Sequence, residues 1–599
     1  KPHVTAKIKI GLLVGTVTQN GKTVGGSGPN FLLASKDSLW VSDGNSDIIE
    51  RIDLTTMKIA ARTRITLNPA TAQLRGIGPS GMALSSDGKQ LYVAESGVNA
   101  VAVLDPKSLS IKGHIPSAWY PYRVAVSHDS GQLATISFRG FGTGPRGVKI
   151  EQPTGFEGMR GVFILTDLVA LNLKNTTQHV LENNLPPRLV SSNLVADENT
   201  RAEKPDIKYV VFITKENHTY DAIFDHVPGA NGEPKLLKWG LHATVSAANL
   251  PTLTDVPVMP NHNALAREFT ISDNFYMEPE ASGVGHRWLV GVQPNNLMQM
   301  AYTLGWNHRV NSTAPGRLYP MGSNGSLLPE DYPEAGSMWE HVARFGKTFR
   351  NYGEGFEFPG VGEDKGSSPT GAHEVANYPM SSVLFDNTCF DFPIFNMHIP
   401  DQFRFAQFKK DLTEKFISKG TNAPAFLNIA ICNDHGAGES PSEGYPYRAS
   451  WMSDNDLALG KIVEFLSHTK YWKNMLILVT QDDSGGEGDH VDGQRSVLLA
   501  ISPYVKRAYV SHVLTTITSM HRTLYEILGI PSLNLFDALA NDFSDCFTSK
   551  PDLTPYTVRQ VDARIFDPVK VVRKDDPLYK KAMRKASIRR DDPDGDEQL

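Results

Sequence analysis

Cysteine is nearly absent: Cys389, Cys432 and Cys546 are the only three in 599 residues. No C-x-x-C pair occurs, which argues against a thiolate metal site. The three read as structural thiols, with room for one disulfide in an oxidising compartment. An excess of basic charge is missing too. The net charge of −6 offers no basic face, so a nucleic-acid partner is not expected. No stretch reaches about 18 consecutive apolar residues, so no membrane span is expected. No signal peptide is visible, and the opening "KPHVTAKIKI" reads as a processed or truncated start. Glycine and proline are plentiful instead, at 50 and 38 residues. Together with short apolar runs they favour strands and loops over long helices. The length calls for two or more domains.

The first third repeats. "LWVSDGNSDIIERIDL" (39–54) aligns with "LYVAESGVNAVAVLDP" (91–106): strand, polar turn, strand, Asp-containing turn. A third copy begins at "YPYRVAVSHDSGQLATIS" (120–137), and a later strand pair is expected in "GVFILTDLVALNL", after a Gly/Pro-rich insertion. Units of this length with several short strands predict β-propeller blades over residues 1–195. Only three or four blades fit. An open fan leaves sheet edges unpaired, so either earlier blades or a second polypeptide is expected to complete the ring. A small closed propeller is the alternative. Residues 196–207 are polar and charged, as a linker would be.

From 208 to 550 the rhythm changes. "YVVFIT" (209–214), "FLNIAIC" (426–432), "MLILV" (475–479) and "VLLAIS" (497–502) are near-continuous apolar runs. Such runs suit strands covered on both faces of a mostly parallel sheet. Helical spacing lies between them in "DNDLALGKIVEFLSHT" (454–469), with Asp454 near its start, and in "TSMHRTLYEILGI" (518–530), stopped by Gly529. The expectation is an α/β unit. Residues 300–400 read as a cap-like irregular insertion interrupted by one core strand, "TFRNYGE" (348–354). Residues 551–599 read as an extension with a solvated end.

Acids and histidines follow each apolar run. Glu216 and Asn217 follow the first, Asp434 and His435 the second. "TQDDSGGEGDHVDGQR" (480–495) follows the third, with five acids and one His in sixteen positions, among them Asp482, Asp483, Asp489 and His490. In open α/β sheets the ligand site lies beyond the carboxyl ends of the strands. Oxygen ligands and imidazole together suit a divalent cation, and carboxylates gathered without one would repel each other. Taken singly each motif has a plain reading: "DHVDG" as a calcium loop, "NDHG" as a turn, Asn217 as a sequon. Ser282, in "DNFYMEPEASGVGHRWLVG" (273–291), precedes a short predicted helix; it is either an activated nucleophile or an N-cap. His286, four residues on, faces the same pocket or completes the turn.

The set "KENHTYD", "HNALAREFTISDNFYMEPEASGVGHRW", "NDHGAG", "NDLALGKIVEFLSHTKYWKN", "QDDSGGEGDHVDGQRSVLLAISPYVKR" and "HRTLYEILGIPSLNLFDALA" resembles the phosphoesterase family of the alkaline phosphatase superfamily, the branch of acid phosphatases and phospholipases C. With the repeats, the chain resembles fusions of a YncE-like propeller to an alkaline phosphatase-like sandwich. That resemblance implies a multidomain, metal-dependent phosphoester hydrolase. By motif it places Glu216, Asn217, Asp482 and Asp483 on the metal, Ser282 as nucleophile, and His435 and His490 as phosphoryl-binding, proton-donating or ligating histidines. Asp434, Asp489 and His286 become second-metal or orienting residues, and Arg287 and His218 substrate-binding ones. Three departures concern substrate preference: His218 stands where relatives tend to have Arg, "SGVGHRW" where they have S-A-D-G-H-N-W, and "DGQR" where they have D-A-H-R. Gly438 stands where two-metal enzymes have a His, which argues against a second tight metal site.

The expected reaction is in-line displacement at phosphorus by Ser282, then hydrolysis of a phosphoserine, on a phosphomonoester. A phosphodiesterase or phospholipase C on the same scaffold is the alternative, with a small-molecule or lipid phosphoester as partner. Sulfatase chemistry is disfavoured because no C-x-P/A-x-R surrounds the cysteines. The rival of another class is a propeller-based binding protein whose hydrolase unit is an inactive, metal-stapled scaffold. Zn, Mn, Ca and Fe all suit the ligand types. The resemblance implies a periplasmic or secreted protein, and the oligomeric state, including a homo-oligomer, is left open.

Overall fold

A computed structural model describes residues 4, 6–11, 17–19, 22–24, 26–145, 160–185, 205–224, 226–279, 281–296, 299, 333–354, 382–395, 397, 399–436 and 444–571. The expected linker before residue 205, most of the 300–400 insertion, Gly438 and the end of the extension lie outside these residues.

Beyond a two-stranded antiparallel ribbon of Val17–Gln19 and Lys22–Val24, three larger antiparallel sheets occupy the first part. The first holds β1 (Pro29–Ala34), β2 (Ser38–Asp43), β3 (Ile48–Asp53) and β4 (Lys58–Arg64). The second holds β5 (Pro79–Leu84), β6 (Leu91–Glu95), β7 (Ala100–Leu104) and β8 (Ile111–Pro116). In the third, β9 (Trp119–Val126), β10 (Gln132–Gly140) and β11 (Val162–Asp167) pair in order. The repeat is enforced locally. Asp53 and Asp167 end strands, Asp105 directly follows one, and each accepts from the backbone N–H groups two and three residues on. This Asx turn is what an Asp at that position does for the chain. Asp47 and Asn99 take matching positive φ angles, 57° and 56°, in the turns between paired strands. Trp40, Ile49, Met82 and Leu91 share one core, and Tyr92, Val101, Val124 and Leu133 share the next, so the sheets stack as blades do.

One expectation fails here. "GVFILTDLVALNL" is not a strand pair. Only β11 forms, and Asn172 caps α1 (Leu173–Asn183) by accepting from the Asn175 N–H. The helix lies against β8, where Thr177 Oγ1 accepts from the His114 N–H at 2.9 Å. No fourth strand joins the third sheet and no ring closes among the described residues.

The second part is built on seven strands. They are β12 (Tyr209–Lys215), β13 (Thr270–Ser272), β14 (Phe349–Tyr352), β15 (Phe426–Ala430), β16 (Met475–Gln481), β17 (Leu498–Ile501) and β18 (Tyr509–Ser511), in the order β14-β15-β12-β16-β17-β13-β18. All neighbours run parallel except at β17, which is antiparallel to both β16 and β13. The sequence reading placed "VLLAIS" in the parallel set. It reverses because residues 482–497 return the chain directly, without the crossover a parallel strand needs. Every residue of β16 is buried, as a two-faced cover requires.

Helices α2 (Pro260–Glu268), α3 (Ser282–Leu289), α4 (Asp401–Leu412), α5 (Ala449–Ser467) and α6 (Ile517–Leu528) accompany the sheet. α6 ends on Gly529 in the left-handed conformation at φ 65°, as expected. α5 starts earlier than expected, so Asp454 is not near its first turn but buried within it. There Asp454 accepts from the Asp401 N–H, Asn433 Nδ2 and Tyr445 OH, at 2.9, 2.7 and 2.7 Å. Asp401 in turn accepts from Arg404 Nη1, the Asn433 N–H and Asn455 Nδ2, at 2.8, 2.9 and 2.9 Å. This network ties α4 and α5 to the turn after β15. All three cysteines are buried thiols outside any disulfide. Within the extension Tyr556, Ile565 and Phe566 are buried, and Tyr556 OH donates to Asn261.

Removing Asp401 strands several buried donors, a loss worth roughly 3–5 kcal/mol by analogy with broken buried ion pairs. Asp401→Ala is therefore expected to lower stability by about that amount in urea unfolding.

Candidate functional site

Four strands deliver the site. β12 ends in Lys215, and the next residues are Glu216 and Asn217. β16 ends at Gln481, followed by Asp482 and Asp483. The turn after β15 carries Asp434 and His435. β14, at the sheet edge, leads through Gly353 (φ 85°) to Glu354, where Asn351 Nδ2 closes the turn on the Glu354 carbonyl at 2.7 Å. Parallel neighbours end on the same side, so these residues meet.

Ser282 is not an N-cap. It is the first residue of α3, Ala281 precedes it, and no side chain caps that helix. The freed hydroxyl donates to Asp483 Oδ2 at 2.8 Å, and Asn217 Nδ2 donates to it at 3.3 Å. Gly285, one turn on, lets α3 approach the sheet: a Cβ there would lie 2.1 Å from the Asp482 carbonyl oxygen. Gly485 (φ 64°) plays the same part in the acidic loop, where a Cβ would lie 2.1 Å from the Asn217 carbonyl oxygen.

Beside the serine, Glu216, His286 and Asp482 each point a ligand atom into one space, all within 4.8 Å of one another. Glu216 Oε2, His286 Nε2 and Asp482 Oδ2 are buried and make no hydrogen bond. His286 Nε2 lies 3.2 Å from Glu216 Oε1 and 3.6 Å from Asp482 Oδ2, without the direction a hydrogen bond needs. Three orphaned buried atoms in one place fit a cation, because leaving such groups unmet is costly.

The protonation behaviour agrees. Burial lifts Glu216 to about 7 although His286 opposes it. Asp482 is pushed well above the carboxylate range by burial and by Glu216 and Asp483. Asp483 is raised by burial despite the Ser282 hydroxyl and the Gly485 N–H. For His286, burial acts downward, but Glu354 and Glu216 outweigh it and carry the imidazole well above its usual value.

The other expected residues make different contacts. Asp434 is no open ligand: its Oδ2 takes the buried Lys215 ammonium at 2.6 Å and its Oδ1 the Glu216 N–H at 3.1 Å. His218 does not face a substrate space. Its Nδ1 meets Glu487 at 2.8 Å and its Nε2 the Asp434 carbonyl at 2.8 Å. Glu487 is held at about 2: burial opposes this, but His218, Lys238 and Trp239 prevail. Asp489 and His490 are not brought to Ser282. They join Asp221 around Arg495, whose Nε lies 3.0 Å from Asp489 and whose Nη2 lies 2.9 Å from Asp221. These three residues also have metal-ligand geometry, but the guanidinium already supplies their positive charge. His490 Nδ1 is bonded to Asp221 at 2.7 Å and Nε2 to Asn231 at 3.0 Å. Arg287 is buried in α3, with Nη1 on the Gly283 carbonyl at 2.5 Å. His435 packs edge-on against Phe395, its buried Nδ1 makes no hydrogen bond, and its charge acts on Asp483.

Sequence reasoning missed Lys215, Asp221 and Glu354. Glu354 carried a usable signal, since it ends the predicted strand "TFRNYGE" just as the other acids end theirs.

No family model and no curated protein matches the chain. Among solved structures, a protein in the alkaline phosphatase superfamily from Vibrio parahaemolyticus matches at 14% identity and TM-score 0.34, covering 57% of this chain and 70% of its own. Kuenenia stuttgartiensis hydrazine synthase matches at 17% and 0.18, covering 24% of this chain and 33% of its own. Virginiamycin B lyase from Staphylococcus aureus matches at 18% and 0.16, covering 23% and 41%. The chain thus spans about a third of the hydrazine synthase and less than half of the lyase. At these scores the site stands on its own geometry.

The shifts set a pH dependence. Folded Glu216 keeps its proton up to about pH 7, whereas the ordinary carboxyl releases it near 4.5. Metal-free stability therefore falls as pH rises from about 4.5 through 7, by about 3 kcal/mol from this group. His286, raised likewise, acts in the same direction at higher pH. In chelator, Glu216→Gln is expected to flatten the decline in urea-unfolding stability between pH 5 and pH 8, and a divalent ion should flatten it in the unmodified chain.

Proposed function

We propose that the chain is a metal-dependent phosphoester hydrolase with Ser282 as nucleophile, and that a phosphomonoester is its first substrate. One observation carries this reading: the Ser282 hydroxyl, at the start of α3, donates to Asp483 beside three orphaned buried ligand atoms.

Glu216 and Asp482, with Asp483, would hold the cation. Such an ion supplies Lewis-acid stabilisation of charge on phosphoryl oxygens and offsets the carboxylates' mutual repulsion. The rest follows from the chain's own groups. Asp483 accepts the Ser282 hydroxyl proton at 2.8 Å and orients the oxygen for attack. The Asn217 amide holds the oxygen from the other side. Positive charge from the amino end of α3 favours the phosphoryl group there. His435, beside Asp483 and bonded to nothing at Nδ1, is the group we assign to leaving-group protonation. His490 is committed to Asp221 and Asn231 and is not assigned that step. Attack breaks the bond from phosphorus to the leaving oxygen and forms a phosphoserine. Water then releases phosphate and restores the hydroxyl.

Ser282→Ala is expected to remove turnover of a chromogenic phosphate ester, by 10³-fold or more on the order of a lost nucleophile, with the thermal midpoint and bound metal unchanged. Full activity in that variant would refute the nucleophile. Bound metal with no hydrolysis across a panel of phosphomonoesters and diesters would refute the hydrolase and favour a metal-stapled scaffold.

A further inference from the structure

The third atom facing the cation space is a nitrogen, and its orientation is not left to chance. His286 sits on α3 one turn after Ser282, and its Nδ1 meets Glu354 Oε1 at 2.7 Å, both side chains buried. A carboxylate only accepts, so Nδ1 carries the hydrogen and the ring presents Nε2 to the space shared with Glu216 and Asp482. Glu354 is itself fixed. Gly353 takes φ 85°, where a Cβ would strike the Phe392 ring at 2.9 Å, and Asn351 Nδ2 holds the Glu354 carbonyl. A small cavity lined by Glu216, His286, Glu354, Phe395, Ile431 and Cys432 flanks the pair. Phe395 and Ile431 make part of that lining apolar, and a charge-assisted hydrogen bond is stronger where water is scarce.

One alternative keeps His286 as a counter-ion, a protonated ring caged by acids. That arrangement would aim the Nε2 hydrogen at a carboxylate oxygen. Nε2 makes no such bond, although Glu216 Oε1 is 3.2 Å away. A counter-ion also leaves the carboxylates in excess, since Glu216, Glu354, Asp482 and Asp483 surround one imidazole.

We infer that His286 Nε2 is a direct ligand of the cation and that Glu354 is the positioning residue that orients it, which biases the site toward imidazole-binding ions such as Zn(II) or Fe(II) over Ca(II) and Mg(II). The inference rests on the cation site proposed above. Carboxylate and water oxygens suit hard ions, whereas a nitrogen donor adds affinity for borderline ones. A carboxylate behind a ligating histidine fixes its tautomer and raises its basicity, and losing it typically costs ten- to a hundredfold in metal affinity.

The test uses the full chain, stripped by chelation. Pulsed EPR of the Mn(II)-loaded unmodified protein is expected to show nitrogen modulation from a bound imidazole. Titration calorimetry should give tighter Zn(II) than Ca(II) binding. Glu354→Gln should weaken Zn(II) about ten- to a hundredfold while changing Ca(II) less than about threefold, and His286→Asn should erase the preference. Mn(II) that binds without nitrogen modulation overturns the inference and leaves the cation site standing. Equal weakening of both ions in Glu354→Gln also overturns it. No divalent binding at all removes both readings. If either variant misfolds by circular dichroism, the spectrum of the unmodified protein decides.

Discussion

Buried carboxylates crowd into one space, and the rest of the α/β unit is arranged around that electrostatic conflict. Glu216, Asp482 and Asp483 come from the ends of adjacent parallel strands, and Glu354 arrives from the sheet edge. Burial raises the cost of each negative charge, and proximity raises it again. Some positive charge must be present for the cluster to ionise. Glu216 Oε2, His286 Nε2 and Asp482 Oδ2, buried and unpaired, mark where it would sit. The Ser282 hydroxyl lies at the rim of this space, bonded to the one carboxylate, Asp483, that also belongs to the cluster. The Ser282 hydroxyl is thus linked to the carboxylate cluster through Asp483 and through Asn217, whose own N–H donates to Asp482.

The acids that do not face this space explain how it is kept in shape. Asp434, next to the site in sequence, is spent on the buried Lys215 ammonium and on the Glu216 backbone, and so clamps the end of β12 to the turn after β15. Asp401 and Asp454 hold the same turn from behind through α4 and α5. Further along the acidic loop, Asp489 shares the Arg495 guanidinium with Asp221 from the segment after β12. The acids of "TQDDSGGEGDHVDGQR" divide into Asp482 and Asp483 beside Ser282, Glu487 and Asp489 paired with basic side chains, and Asp492 held by neutral donors.

The blade-like sheets reach the far end of that loop. Thr143 Oγ1 and the Gly144 N–H donate to Asp492 at 2.7 and 2.8 Å, and the Gly493 N–H donates back to the Gly144 carbonyl at 2.9 Å. Arg139 donates to the Glu278 carbonyl, four residues before Ser282. Arg75 pairs with Glu334, and Tyr120 OH donates to Asn296. The first part of the chain therefore grips two of the segments that carry the site, the approach to α3 and the loop after β16. Movement of the third sheet would be felt at both.

Much of this was legible along the chain. Apolar runs at 209–214, 426–432 and 475–479 became central strands because an uninterrupted apolar run can only be satisfied between two covering layers. The Asp turns of the repeats and the Gly529 stop followed from short-range backbone geometry. Acids expected at strand ends do gather at one edge of the sheet. What one segment cannot encode is its neighbour. The reversal of β17, the pairing of Asp434 with Lys215 across 219 positions, and that of His286 with Glu354 across 68 depend on strand order and on how helices seat against the sheet. Those follow from simultaneous packing of distant surfaces. The amino-acid order determined which residue types stand at the ends of strands, because burial and hydrogen-bond periodicity act locally. Tertiary structure alone decided which of those charges would find a protein partner and which would be left facing one another.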